Sequence, residues 1–157
     1  MVVPLSLDNT DIVEQLWLLK HMGYRLEAIA LGLQEYPPLS DTFDSIRNSK
    51  ERYYGWLGEN QELKGAIAVS LEKPDIVEIS RITVHTSSMR QGIGRALVEF
   101  VIQEYPLQQI EVTAGARNKP ATSLYRSFGF KEIESYYIRP DVELIRFELS
   151  RASCKGI

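Results

Sequence analysis

The segment between residues 76 and 104 constrains the fold of this chain more than any other. Residues 76–84 are predicted to form a strand, and a polar loop follows near His85. Gly92 and Gly94 then open a predicted helix over residues 92–104. Its apolar side chains recur at i, i+4, i+7 and i+8, at Ile93, Leu97, Phe100 and Val101. A strand that leads through a glycine turn into an amphipathic helix indicates a sheet with helices packed on it.

The rest of the chain alternates short strands and helices, with no internal repeat. The other predicted strands are residues 2–7, 53–56, 65–71, 109–113, 131–138 and 142–149. The other predicted helices are one that carries Ile12, Leu16 and Leu19, a second over residues 24–33 that Pro37 and Pro38 end, and a third over residues 118–128. A short helical turn is expected from Ser40. The order β-α-α-β-β-β-α-β-α-β-β predicts an α/β fold, a mixed sheet with helices on both faces.

Length and composition fit one folded domain, since 44% of the 157 residues are hydrophobic. We assign that domain to residues 1–150 and a polar C-terminal tail to residues 151–157. No stretch approaches the roughly 20 apolar residues that cross a bilayer, and the first residues do not resemble a secretory signal. A net charge of −3 without a basic stripe predicts no nucleic-acid or membrane partner. The single cysteine, Cys154, predicts a cytoplasmic protein without a multi-cysteine metal site.

The glycine turn has the properties of a diphosphate-binding site. Backbone N–H groups at a helix start are unpaired and carry positive partial charge, and glycines let an anion approach them closely. Arg90 and Arg95 flank the turn. A Walker loop is excluded because no Gly-Lys-Ser/Thr follows. A dinucleotide fingerprint is disfavoured because Leu97 stands where a third small residue is required. A packing role for the glycines is the remaining alternative.

Two motifs resemble those of the GNAT superfamily of acyl-CoA-dependent N-acetyltransferases. Residues 89–94, Met-Arg-Gln-Gly-Ile-Gly, are similar to its Gln/Arg-x-x-Gly-x-Gly/Ala motif, from which Met89 departs. Residues 118–130 are similar to its Asn-x-x-Ala-x-x-Leu-Tyr-x-x-x-Gly-Phe signature at every marked position, with Asn118 first and Tyr125 in the tyrosine place. The resemblance covers about residues 1–150 and implies the GNAT fold with acetyl-CoA as co-substrate.

The same resemblance implies which residues bind the coenzyme. The backbone of the 76–84 strand would face the thioester carbonyl, and the glycine turn would hold the pyrophosphate. The implied set is Ile82, Thr83, Val84, Arg90, Gln91, Gly92, Ile93, Gly94, Arg95, Asn118 and Tyr125. A covalent route is not expected, because Cys154 lies outside both motifs.

Direct transfer needs an acid for the departing thiolate and a base for the amine. The resemblance implies that Tyr125 faces the coenzyme sulfur, and an ordinary phenol pKa of about 10 keeps it protonated at neutral pH. The alternative is that Tyr125 only packs on its helix face. Glu78 is the predicted base, on the assumption that strand alternation puts it on the same face as Ile82 and Val84. Glu111, His85, an ordered water, or a Glu78 that is merely paired or solvated remain alternatives.

The predicted function is transfer of an acetyl group from acetyl-CoA directly to a primary amine of a small molecule or protein, the latter including peptides. The acceptor site is expected between residues 18–38 and 136–141, where four tyrosines could form a pocket: Tyr24, Tyr36, Tyr136 and Tyr137. The alternatives are a domain of the same fold that binds acyl-CoA as a sensor without turnover, and a nucleotide-binding module. A monomer or homodimer is expected.

Overall fold

The computed structural model describes residues 1–30, 32 and 40–151. Its elements follow the predicted order with three differences: the helix predicted from residue 24 continues the first one, the helical turn expected from Ser40 is a short helix, and one 3₁₀ turn is added. The elements are β1 (Val2–Pro4), α1 (Thr10–Ala30), α2 (Phe43–Arg47), β2 (Arg52–Leu57), β3 (Leu63–Ser70), β4 (Ile76–Val84), the turn Thr86–Ser88, α3 (Ile93–Glu104), β5 (Gln109–Gly115), α4 (Lys119–Ser127), β6 (Lys131–Arg139) and β7 (Val142–Leu149). Several sequence-based assignments lie outside the described residues: the end of the 24–33 helix, Tyr36, Pro37, Pro38 and Cys154. The division into a domain over residues 1–150 and a tail stays a prediction.

The strands of the described part of the chain form one mixed sheet in the order β1-β2-β3-β4-β5-β7-β6. Neighbouring strands are antiparallel except β4 and β5, which are parallel. Helices α3 and α4 cover one face, where Leu97, Val98 and Tyr125 join the larger apolar core. Helices α1 and α2 cover the other face, where Leu16 and Ile46 join a second core. The predicted α/β architecture with helices on both faces is confirmed.

The predicted break before residue 24 is wrong, because α1 runs without interruption from Thr10 to Ala30. Gly23, at the place of that break, lies inside the helix and allows close packing. A Cβ at Gly23 would lie 2.6 Å from Cγ2 and 2.7 Å from Oγ1 of Thr83, a buried residue of β4. The missing side chain therefore lets α1 rest directly on the sheet.

Gly23→Ala should lower the free energy of unfolding, although alanine is the better helix former. Helix propensity alone would stabilise the variant by about 1 kcal/mol. Overpacking against Thr83 costs about 1–3 kcal/mol, and we expect this cost to exceed the gain in helix propensity. Urea denaturation measures the difference. The matched control is the same change in a Thr83→Ala background, which leaves only the Thr83 Cβ at 3.3 Å. There the penalty should shrink or reverse, and an equal penalty in both backgrounds would contradict the packing explanation.

The two parallel strands at the centre of the sheet pair over only half their length. The pairing of β4 with β5 runs from Ile76–Gln109 to Ile79–Val112. Beyond that point β4 continues to Val84 and β5 to Gly115 without pairing to each other. A β-bulge begins the separation, since Val69 pairs with Ile79 and Ala68 with Arg81, which leaves Ser80 as an extra residue. The diverging strand ends open the sheet at its centre.

Candidate functional site

A cleft of about 400 Å³ lies where β4 and β5 diverge. Helix α1 forms one wall, and the start of α4 forms another. The lining residues are Gly23, Leu26, Glu27, Ile79, Ser80, Arg81, Ile82, Thr83, Val84, Met89, Val112, Thr113, Ala114, Gly115, Asn118, Pro120, Ala121 and Tyr125. The cleft therefore brings together the β4 residues 82–84 with Asn118 and Tyr125, which are remote in sequence. Met89, which comes three residues before Gly92, also lines the cleft.

The glycine turn is shaped to accept an anion. Gly92 has a left-handed backbone, with φ of 79°, and no side chain caps α3. The first hydrogen bond within the helix runs from Ala96 N to Gly92 O at 3.0 Å, so the N–H groups of residues 93–95 have no partner within the helix. A Cβ built on Gly92 would meet nothing within 4 Å. Open space thus lies beside Gly92, and unpaired N–H groups at a helix start can bind an anion.

The side chains around the glycine turn lie in different environments. Ile93 is buried in the core, so only its backbone faces the turn. Arg90 is exposed, with φ of 64°. Arg95 reaches α4, where its guanidinium donates to Ser127 Oγ at 2.7 Å and lies 4.8 Å from the centre of the Phe128 ring. Gln91 lines a separate depression on the α1 side of the sheet. Of the two predicted arginines, Arg90 alone makes no such contact with α4.

Asn118 begins α4 and holds its first turn. Its side-chain oxygen accepts from Ala121 N at 3.3 Å, and Pro120 occupies the first turn, where its missing N–H costs nothing. The cap positions Asn118 at the edge of the cleft. The family-like signature therefore has a local structural role, which is to start the helix that carries Tyr125.

Tyr125 lies at the base of the cleft, with 2% of its surface exposed. Its ring packs between Phe130 and Phe147, at 5.8 and 5.9 Å between ring centroids. Burial raises the pKa of the Tyr125 phenol well above its usual value, and the negative charge of Glu27 adds to the increase. The packing role and the proton-donor role are thus compatible, because the hydroxyl stays protonated beside the cleft.

Glu78 does not share a face with Ile82 and Val84, so that sequence-based expectation is wrong. The extra residue of the bulge, Ser80, reverses the alternation along β4. Glu78 pairs with Ser70 and projects from the face that α1 covers elsewhere, whereas Ile82 packs on the α3 side. Its side chain is 45% exposed and lies 3.9 Å from Lys73 Nζ. Glu78 does not line the cleft.

The two alternative bases, Glu111 and His85, also make contacts with other residues. Glu111 is 6% exposed, and its carboxylate lies 3.8 Å from Lys73 Nζ and 3.4 Å from Arg146 Nη1. The imidazole Nδ1 of His85 accepts from Ser87 N at 3.1 Å and so caps the 3₁₀ turn. His85 lines the same separate depression as Gln91.

Two charged residues of the cleft were not predicted from the sequence. Glu27 of α1 and Arg81 of β4 both line it, and Glu27 Oε2 lies 3.9 Å from Arg81 Nη1. Glu27 sits in the segment with little helical periodicity, and Arg81 faces α1 only because of the bulge. No sequence motif marks either residue, although the i, i+4 spacing of Gly23 and Glu27 could have paired them on one helix face.

The predicted acceptor tyrosines do not converge in the described part of the chain. Tyr136 and Tyr137 are exposed on β6 and do not line the cleft. Tyr24 lies on α1, and Tyr36 is outside the described residues. Among residues 1–30, 32 and 40–151, no cluster of metal-ligating side chains occurs. No helix in those ranges has the length and apolar character needed to cross a membrane.

Comparison with known proteins places these features in a family context. The family described as acetyltransferase (GNAT) domain matches residues 38–151. The chain is 29% identical to UPF0157 protein YqkA of Bacillus subtilis over 98% of its own length, but spans only 48% of that relative. It is 31% identical to ribosomal protein bS18-alanine N-acetyltransferase of Escherichia coli K12, with 87% of each protein covered. An aminoglycoside 6'-N-acetyltransferase complexed with coenzyme A has a similar fold, with a TM-score of 0.77, 13% identity, and 95% and 96% of the two chains covered.

Proposed function

This chain belongs to the GNAT acetyltransferase domain family, and from that premise we propose that it transfers an acetyl group from acetyl-CoA to a primary amine. The family and the fold inferred from the two motifs are thereby confirmed. The donor, the acceptor and the site residues are the proposed part. The observation that carries the proposal is a cleft lined by residues 82–84 of β4 and by the buried Tyr125, which is reached by Met89 just before the open glycine turn.

The proposed coenzyme site fits the described geometry. The backbone amides that follow Gly92 would hold the diphosphate, with Arg90 adding positive charge beside it. The strand residues Ile82, Thr83 and Val84 would line the path of the pantetheine arm, because they border the cleft where β4 no longer pairs with β5. When bound, acetyl-CoA supplies the acetyl group as a thioester and leaves as a thiol.

Tyr125 would give its proton to the departing sulfur. Tyr125 and residues 82–84 of β4 line the same cleft, and burial of the Tyr125 phenol disfavours the charged phenolate. Backbone amides of β4 that no longer pair with β5 would polarise the thioester carbonyl, which needs no special side chain. The alternative of an acyl-CoA sensor would not require a protonated tyrosine at this point.

The proton of Tyr125 should be retained through the alkaline range. Free tyrosine ionises at about pH 10, and burial together with the charge of Glu27 moves the pKa of Tyr125 upward from there. We therefore expect kcat not to fall between about pH 7 and 10 through loss of this proton. In the unfolded chain the proton leaves at about pH 10, so its contribution to folding stability is lost only as pH rises beyond that value.

An ultraviolet titration of tyrosinate, run on the wild type and on Tyr125→Phe, measures this ionisation directly. The difference between the two curves should stay flat to at least about pH 10. A difference that develops between about pH 7 and 9 would contradict a raised pKa.

Release of free thiol from acetyl-CoA with a panel of amines tests the function as a whole. The panel should include a peptide with an N-terminal alanine and an aminoglycoside, because a relative and a structural neighbour of this chain carry those names. Lysine peptides and polyamines complete it. Acetyl-CoA binding without thiol release from any amine would favour the sensor alternative, and binding of ATP or NAD in place of coenzyme A would favour a nucleotide module. Cytoplasmic location and a monomeric or dimeric state stay predictions.

A further inference from the structure

We propose that Glu27 of α1 is the base that accepts the proton of the acceptor amine, and that the amine enters the cleft along the α1 wall. This inference rests on the proposed acetyl transfer and names a residue of the same site. Glu27 lies in none of the motifs that identify the family.

The position of Glu27 is the first support. Of the described residues that line the cleft, Glu27 is the one with a carboxylate. Its side chain is 36% exposed, so an amine from solvent can reach it. Tyr125 lines the same cleft, and the negative charge of Glu27 contributes to the raised pKa of its phenol. A base and an acid thus border one cavity, as direct transfer requires.

The packing of α1 holds Glu27 in that position. Gly23 lies one helical turn before Glu27 on the same face and lets α1 contact Thr83. Arg81 lies two residues before Thr83 on the same face of β4, and it forms the ion pair with Glu27 Oε2. Oε1 makes no hydrogen bond or ion pair to any other described side chain. Arg81 therefore lies within ion-pair distance of one carboxylate oxygen, and the partial exposure of the Glu27 side chain leaves the carboxylate accessible to a substrate.

The carboxylates of the neighbouring strands are less suited to the role. Glu78 and Glu111 share Lys73, and Glu111 also contacts Arg146. Neither lines the cleft. A proton taken by either group would have to cross the sheet face outside the cavity that contains Tyr125.

The amine nitrogen forms a bond to the acetyl carbon while the carbon–sulfur bond of the thioester breaks. The nitrogen becomes more acidic as its bond to carbon forms, so a carboxylate is a sufficient acceptor for its proton. Glu27 becomes a neutral carboxylic acid, and the sulfur receives the proton of Tyr125. Glu27 then releases its proton to water and Tyr125 recovers one from water, which leaves an amide and a thiol as products.

The test compares Glu27→Gln with Glu14→Gln, using an amine that the wild type acetylates. Glu14 is an exposed glutamate on the same helix and does not line the cleft. We expect Glu27→Gln to lower kcat/KM about 10- to 100-fold, at or below the bottom of the usual range of about 10²–10⁴-fold, because water can partly replace the carboxylate. Acetyl-CoA affinity by calorimetry and the melting temperature should stay within experimental error of the wild type. Glu14→Gln should match the wild type in all three measurements.

A rescue experiment separates a proton acceptor from a structural residue. Glu27→Ala leaves a space beside Arg81, and added formate should restore part of the lost rate. Formate should not raise the rate of the wild type. A rate loss without rescue, accompanied by weaker acetyl-CoA binding, would overturn the inference in favour of a structural role.

The remaining outcomes separate this inference from the proposed function. If Glu27→Gln keeps the wild-type rate while Glu78→Gln loses it, Glu78 is the base and the inference falls, but acetyl transfer stands. If the wild type releases no thiol with any amine, the proposed function and the inference fall together.

Discussion

Tyr125→Phe should lower kcat by about 10²–10⁴-fold, which is the usual range for loss of a general acid. The substitution removes one oxygen and keeps the ring that packs against Phe130 and Phe147. The affinity for acetyl-CoA and the melting temperature should therefore change little. The remaining rate is expected because a thiolate, whose conjugate acid has a pKa of about 8.5, can leave without a proton. Steady-state kinetics, calorimetry and thermal unfolding of the same preparation give the three values.

Tyr105→Phe is the matched control, because it deletes the same atom from another buried tyrosine. The hydroxyl of Tyr105 lies 2.6 Å from that of Tyr54, and Tyr105 does not line the cleft. Its loss should lower the free energy of unfolding by about 1 kcal/mol, the usual contribution of a hydrogen bond, and leave kcat unchanged. Wild-type turnover in Tyr125→Phe, under conditions where chemistry limits the rate, would leave Tyr125 with a packing role alone.

The sequence predicted those parts of the fold that depend on local pattern. Residues 76–84 and 142–149 form strands with the predicted bounds, because β-branched and apolar side chains fill them and turns limit both ends. The helix starts at Gly92 and Asn118 were predictable for a related reason, since the groups that end or cap a helix lie within four residues of it. The larger part of the proposed coenzyme site consists of these local features.

The parts that failed depend on contacts between distant residues. Gly23 indicates a break when it is considered in isolation, and only the proximity of Thr83 explains a glycine within a continuous helix. The bulge at Ser80 reverses which face Glu78 occupies, and a bulge is a property of the pairing between β3 and β4 rather than of either strand. Both effects determine the position of Glu27. The continuous helix α1 carries Glu27 to the cleft, and the bulge turns Arg81 towards α1, where it pairs with Glu27. The proposed base was therefore the least predictable residue of the site.

Gly92→Val should weaken acetyl-CoA binding by more than about 100-fold, equivalent to about 2.7 kcal/mol. A Cβ at Gly92 would enter open space beside the start of α3, where the diphosphate is proposed to bind. The left-handed backbone of Gly92, with φ of 79°, adds strain for a β-branched residue. Calorimetric titration with acetyl-CoA measures the affinity, and thermal unfolding measures the strain separately.

The same substitution at Gly129 distinguishes strain from lost binding. Gly129 also has a left-handed backbone, with φ of 91°, and the nearest atom to its Cβ would be Leu149 Cδ1 at 3.9 Å. It lies beyond the end of α4 and outside the cleft. Gly129→Val should lower the melting temperature about as much as Gly92→Val, because the backbone penalty is of the same kind, but should keep its affinity for acetyl-CoA. Unchanged affinity in Gly92→Val would mean that the diphosphate does not lie over this turn. An equal loss of affinity in both variants would attribute the effect to strain and leave the turn without a demonstrated role in binding.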